Sequence, residues 1–433
     1  MGTAHFPASI GQRLVWFLEH YRSETSSVNC PATFRISGRL SEDLLRGALA
    51  DLVRRHDALR TTLSRDGRNL LQHVHDDRGG RAALSVVDVS GGEEEMRALL
   101  RAEQAAGLDP GREPVRTSWW RLGREDHVVC VNMHHLVSDA WSCGIVIADL
   151  IALLGGRRPD APPWQYSDFT TWQAGQEKSG KLRAHQDFWC EQLDGMRLAP
   201  LPWLAPEGSP RPSPGLETLS LSAETAGGLR EFSQRRRHTL FSVLLALYYL
   251  LLNHETGQDD LAVASFFANR TRREVTSTVG FFANMLVLRA KVDPDRPFAD
   301  LLGTTRRTVL DATTHQAVPC QMLPMSRLQR TPGRVNEVVF QMLPDRKPGS
   351  WSPIDSGTGL RIGTFRPDHG LSRFGLNLTV IPREDRFDVR LSYDRNQLDR
   401  EWVRGLLRSY RVLAEGMLAA PDAPAAKLTA ALR

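Results

Sequence analysis

"VNMHHLVSDAWS", residues 131–142, sets two adjacent histidines in front of an aspartate at the end of an apolar run. In a strand, neighbouring side chains point to opposite faces. His134 and His135 therefore cannot both face one ligand unless the backbone leaves the strand between them. One ring should point into the structure and the other into whatever cleft the strand end borders. Asp139 falls just before a helix starting near Trp141, where a carboxylate serves as an N-cap. A metal centre would need a third and fourth ligand at recognisable spacing, and the stretch offers none. One histidine acting as base or hydrogen-bond partner for an attacking amine or hydroxyl is the chemical alternative to a purely structural pair.

Working outward, "DHVVCVNMHH" reads as a strand and "WSCGIVIADLIALLGG" as a helix stopped by glycines. Upstream, "SIGQRLVWFLEHY" has apolar residues at helical spacing with Ser9 as N-cap, and "SEDLLRGALADLVRRH" opens a helix on Ser41. The proline-dense "LAPLPWLAPEGSPRPSPG", 198–215, is the strongest linker signal in the chain. Beyond it, "LFSVLLALYYLLL" (240–252) reads as a buried helix ending at Gly257. Strands follow at "DLAVASFFANR", "MLVLRAKV", "NEVVFQM", "FGLNLTVIP" and "RFDVRLSYD", with helices at 298–312 and 399–419. Both halves mix strands and helices, so the chain is expected to be α/β, with an N-terminal lobe over 1–175, a linker region over 176–215 and a C-terminal lobe over 216–433.

Composition narrows the function classes. The 433 residues suffice for two lobes, and 41% hydrophobic with 24% charged residues describes a globular chain. The apolar run at 240–252 is too short to cross a bilayer, and the N-terminus has no apolar signal core, so a cytoplasmic protein without membrane contact is expected. A net charge of +5 without a Lys/Arg tract interleaved with aromatics argues against nucleic acid. Five scattered cysteines, never paired as C-x-x-C, indicate neither a disulfide framework nor a zinc site, and no metal is expected. No G-x-S-x-G, Walker A, G-x-G-x-x-G or H-E-x-x-H is present. Direct transfer between two bound substrates remains.

At this point "MHHLVSDAWS" resembles the H-H-x-x-x-D-G motif of nonribosomal peptide synthetase condensation domains. Other segments resemble that family in order: "SIGQRLVWFLE" (9–19), "RRHDALRTTL" (54–63), "YSDFTTW" (166–172), "VGFFANMLVLR" (279–289), "HQAVPCQML" (315–323) and "LTVIPREDRFDVRLSYDRNQLD". The resemblance implies two chloramphenicol-acetyltransferase-like lobes in a V-shaped pseudo-dimer around a central tunnel. It implies a condensation enzyme that joins a carrier-protein-bound acyl thioester to an amine, or less readily to a hydroxyl. No cofactor would be bound directly; the substrates would ride on phosphopantetheine arms of carrier proteins, and the chain would act as a monomer.

Residue by residue, the resemblance makes His135 the histidine that faces the acceptor, with His134 fixing the loop. Asp139 would pair with an arginine, Arg55 before Arg60, and a backbone N–H after Asp139 would meet the oxyanion. Trp141, Ser142, Gly280 and Asn284 would line the tunnel, with 274–284 as its floor and a segment within 350–380 crossing the cleft. One position departs from the motif: its glycine is Ala140. Glycine is required where φ is positive or a substrate passes close to the backbone. Some condensation-like domains have given up chemistry and recruit oxygenases, so a non-catalytic docking module for a carrier protein or tailoring enzyme is the alternative. Those modules usually also lose the second histidine, which this chain keeps.

Overall fold

The fold is read from a computed structural model that describes residues 2–21, 29–67, 69–76, 84–202, 213–331, 333–334, 337–343, 351–353, 358–365 and 374–432. In chain order come β1 (Thr3–Pro7), α1 (Ile10–Tyr21), β2 (Asn29–Ser37), α2 (Glu42–Arg55), β3 (Thr61–Asp66), β4 (Asn69–His75), β5 (Leu84–Asp88), α3 (Gly92–Ala105), β6 (Val115–Arg121), β7 (Asp126–His134), α4 (Ala140–Leu154) and α5 (Tyr166–Lys178). The chain continues through α6 (Arg183–Leu193), β8 (Pro214–Leu221), α7 (Ala223–Arg235), α8 (Leu240–Thr256), β9 (Asp260–Phe267), β10 (Asn284–Lys291) and α9 (Phe298–Thr314). It ends with α10 (Met325–Leu328), β11 (Val338–Met342), β12 (Trp351–Pro353), β13 (Arg361–Thr364), β14 (Leu376–Pro382), β15 (Phe387–Asp394), α11 (Arg400–Ala419) and α12 (Ala425–Thr429).

These elements form two units. The first gathers Met1–Lys181, Ala268–Ala283 and the described part of Arg346–Gly370; the second holds Leu182–Phe267, Asn284–Asp345 and Leu371–Arg433. Two segments of the C-terminal half therefore complete the first unit. Helices α5 and α6 run through the start of the expected linker, whose residues 203–212 lie outside the described residues.

In the first unit a six-stranded sheet runs β12-β13-β2-β7-β6-β5, with β1-β4-β3 as a separate three-stranded sheet. Strand β7 pairs antiparallel with β2 and β6 along nearly its whole length. Its alternate residues serve two cores. Val129, Val131 and Met133 pack with α2 and α4, while Val128 and Cys130 pack with Met96 and Leu100 of α3. A strand covered on both faces reads as an unbroken apolar run, which is why "VVCV" shows no alternation. Helix α2 starts where Ser41 accepts from Leu44 N, and α1 starts where the Ser9 hydroxyl accepts from Gln12 N at 3.0 Å. Strand β13 closes one side of β2 with Ile362 opposite Ile36. It belongs to the segment expected to cross the cleft, of which 350, 354–357 and 366–373 lie outside the described residues.

The second unit has one six-stranded sheet, β10-β9-β11-β14-β15-β8. Residues 242–252 of α8 are all buried, as an all-round apolar helix requires. It begins on Thr239, which accepts from Ser242 N, and ends on Gly257 in the left-handed region. Among the described residues no helix is long and apolar enough to cross a membrane.

Candidate active site

Strand β7 ends at His134, and His135 opens a short 3-10 turn, His135–Val137. The two rings are thus separated by a change of backbone course as well as by strand alternation. His134 is 2% exposed. Its Nδ1 accepts from Leu136 N at 3.0 Å, capping the turn, and its Nε2 lies 3.1 Å from Glu19 Oε1 on α1. An Nδ1 that accepts an N–H carries no proton of its own, so the neutral ring is protonated on Nε2. The Ser138 hydroxyl donates to His134 O at 3.1 Å, and the buried Gln12 donates to Leu136 O at 2.8 Å.

His135 is half-buried. Its Nδ1 is 3.1 Å from the Ser138 carbonyl oxygen, which can only accept, so the proton sits on Nδ1 and the lone pair of the neutral ring on Nε2. The ring meets Phe281 edge-on, with centroids 5.8 Å apart. This is the tautomer a general base needs: one nitrogen anchored by the backbone, the other basic.

Asp139 caps α4. Its Oδ1 accepts from Ser142 N at 2.7 Å and its Oδ2 from Phe282 N at 3.0 Å. Arg270 Nη2 lies 3.2 Å from Oδ1, with both side chains almost wholly buried. The guanidinium also donates to Ser142 Oγ, Val275 O and Thr278 O, and it covers the Phe282 ring at 4.0 Å. Burial pulls the Arg270 pKa down from its ordinary value, and the Asp139 carboxylate works against that pull. The carboxylate thus ties the loop to the 270–282 segment.

The expected partners of Asp139 are corrected here. Arg55 Nε bonds Asp149 Oδ2 at 2.7 Å, sharing that carboxylate with His56, and Arg60 pairs with Asp57. Arg55 ends α2, which packs beside α4 at Asp149, about 15 Å along that helix from its cap at ~1.5 Å per residue. Neither arginine reaches the loop. Arg270 escapes a reading of the sequence because it stands in a run with Arg272 and Arg273, and no local pattern singles one of them out.

The four residues expected to line a tunnel fare differently. Trp141 is 50% exposed and donates from Nε1 to Thr276 O at 3.0 Å. Ser142 is fully buried, donating to Gly280 O at 2.8 Å and accepting from Gly280 N at 3.1 Å. Gly280 packs against the Tyr166 ring so closely that a Cβ would sit 2.1 Å from Cδ2. Asn284, in the second unit, is buried and donates to Gln316 O at 2.6 Å. Ser142 and Gly280 fasten the loop to the 270–282 segment. Ala140 is the exposed first residue of α4 with an ordinary negative φ, so this backbone does not demand the motif's glycine.

Within the first unit, then, a strand end carries two histidines of opposite tautomer, clamped by an arginine–aspartate pair. The condensation-domain family model matches residues 3–432, and the chain belongs to that family. Its units are chloramphenicol-acetyltransferase-like lobes. It is 30% identical over 98% of its length to a linear gramicidin synthase of Brevibacillus parabrevis, of which it spans 8%. Against tyrocidine synthase 2 of the same organism it is 28% identical over 97% of its length, spanning 12% of that protein. The chain therefore covers only a small part of these curated relatives. Among solved structures it is similar to SgcC5 of Streptomyces globisporus at TM-score 0.78 and 25% identity, covering 96% of this chain and 100% of that one. It also shares its fold with the X-domain in complex with OxyB from teicoplanin biosynthesis, at TM-score 0.84 and 22% identity, covering 98% and 95%.

Proposed function

We propose that the chain is an active condensation enzyme that joins an acyl group, held as a thioester on a carrier protein, to an amine. The observation that carries this reading is the His135 tautomer, with Nδ1–H held by Ser138 O and the basic nitrogen on Nε2. The acceptor amine attacks the thioester carbonyl, forming the C–N bond, while His135 Nε2 takes the amine proton. The C–S bond then breaks, and the phosphopantetheine thiolate leaves and recovers that proton. The backbone N–H of Ala140, directly after Asp139, is the candidate donor to the oxyanion. Aminolysis of a thioester is downhill, so orientation of the two substrates and a general base worth about 10²–10⁴-fold are sufficient help.

A hydroxyl acceptor is the second reading. SgcC5 was solved with an aryl ethanediol, which gives an alcohol a place beside the amine. The docking alternative drew its support from Ala140, whose ordinary negative φ removes only the conformational case for a glycine there, so docking stays as the other outcome of the test. The deciding experiment is intact mass spectrometry of product released from a loaded donor carrier protein offered a panel of amines and alcohols. Product that disappears with His135→Ala supports the proposal. Silence with every loaded donor, together with tight binding of a carrier or tailoring protein, overturns it in favour of docking.

A further inference from the structure

Helix α1 grips the histidine loop at two points. Gln12 and Glu19 are about two helical turns apart and leave the same face of the helix. Gln12 holds the Leu136 carbonyl at 2.8 Å, and Glu19 Oε1 lies 3.1 Å from His134 Nε2. The second grip faces the nitrogen that carries the His134 proton, because Nδ1 is committed to accepting from Leu136 N. With Nε2–H turned to a carboxylate, the ring is held in the one tautomer whose Nδ1 can close the 135–137 turn. That turn in turn brings the Ser138 carbonyl to His135 Nδ1.

We infer that Glu19 is a positioning residue: through His134, its carboxylate fixes the turn that sets the orientation and tautomer of His135. Without the carboxylate, neutral His134 shares its proton between both nitrogens. The form protonated on Nδ1 presents a donor to the Leu136 N–H, and the cap is lost. His135 then loses the carbonyl that directs its basic nitrogen. The inference rests on His135 being the base of the proposed reaction, but the tautomer pattern stands independently of activity.

The test uses the full chain with ¹⁵N-labelled histidine and compares the parent with Glu19→Ala, Glu19→Gln and Glu19→Met. Long-range ¹H–¹⁵N spectra read the protonation of each imidazole nitrogen, with His134→Ala and His135→Ala supplying the assignments. In the parent, His135 should show a protonated Nδ1 and an unprotonated Nε2. In Glu19→Ala and Glu19→Met that pattern should average or invert, and kcat should fall roughly 10-fold or more with KM changed far less, as misplacement of a reacting group does. Glu19→Gln keeps an acceptor oxygen and should restore both the pattern and most of kcat. Glu19→Ala and Glu19→Met that keep the parent's His135 pattern overturn the inference, as does a Gln variant no better than Ala in both readouts. Should the parent release no product from any loaded donor, the proposed reaction fails, and the spectra alone decide the role of Glu19.

Discussion

Removing the Asp139 carboxylate should cost the protein mainly in stability. Three contacts disappear together in Asp139→Ala: the cap on Ser142 N, the acceptor for Phe282 N and the partner of Arg270. Breaking a buried ion pair from one side typically costs about 3–5 kcal/mol, because the remaining charge stays buried without compensation. Loss of an N-cap adds about 1 kcal/mol, and a stranded backbone N–H about 1–3 kcal/mol. The three share atoms, so they will not add fully, and about 5 kcal/mol is the expected loss. For a unit of roughly 200 residues that corresponds to a melting point lower by about 10 °C or more. Thermal melts followed by circular dichroism, with urea unfolding as a second probe, read this directly. Asp139→Asn, which keeps a capping oxygen but not the charge, should fall between the two. Asp139→Ala combined with Arg270→Met should regain part of the loss, since the uncompensated charge is gone. A soluble Asp139→Ala variant melting within about 2 °C of the parent would refute the reasoning, because a broken buried pair cannot cost so little.

Other expectations follow from the same geometry. His135→Ala should lower turnover by about 10²-fold or more with an unshifted melting curve, and parent-like rates in steady-state assays would remove it as the base. Ala140→Gly should cost no more than about 1 kcal/mol, given an exposed helical position, and should widen the range of acceptors in a competition assay; an unaltered range leaves the alanine without a selective role. Gly280→Ala should destabilise by about 1–3 kcal/mol or more, since the new methyl group meets the buried Tyr166 ring, and a parent-like urea midpoint would contradict that fit. Stability should also fall on mild acidification. Burial holds His56 below the ordinary imidazole value of 6.5, against the pull of Asp149, so the unfolded chain takes up the proton first. His127 is shifted in the same direction, again by burial first. The stabilisation is complete above about pH 6.5 and drains away as pH falls through the folded values, so the melting point should be lower at pH 5.5 than at 7.5.

Much of the fold is legible in the chain because its causes are local. Ser9, Ser41 and Gly257 mark helix ends where the structure has them, and the apolar strand and helix runs declare themselves by composition. The histidine pair and the capping aspartate are visible for the same reason. What escapes depends on contacts between residues far apart in sequence. Arg270 is 131 positions from Asp139, Gly280 owes its identity to the Tyr166 ring, and β13 finds β2 more than 300 residues away. Nor can Ala140 be weighed without its φ, since the same letter serves an ordinary helical position or a strained one.

The patchwork origin of the first unit has a consequence for how the protein is born. Asp139, Ser142 and Tyr166 emerge from the ribosome well before Arg270, Gly280 and Phe282, the residues that fasten them. At about 5–20 residues per second, the loop waits roughly seven to twenty-six seconds for Arg270, and longer still for β13 to cover the flank of β2. During that interval the nascent N-terminal half holds an acidic cap without its cation and a sheet with one flank bare. A fragment cut at the proline-rich stretch would be left in that condition for good. Exchange of the two halves between relatives would therefore carry the clamp away with the wrong half, whereas a transplant that moves 268–283 and 346–370 together with 1–181 keeps each carboxylate with its own arginine.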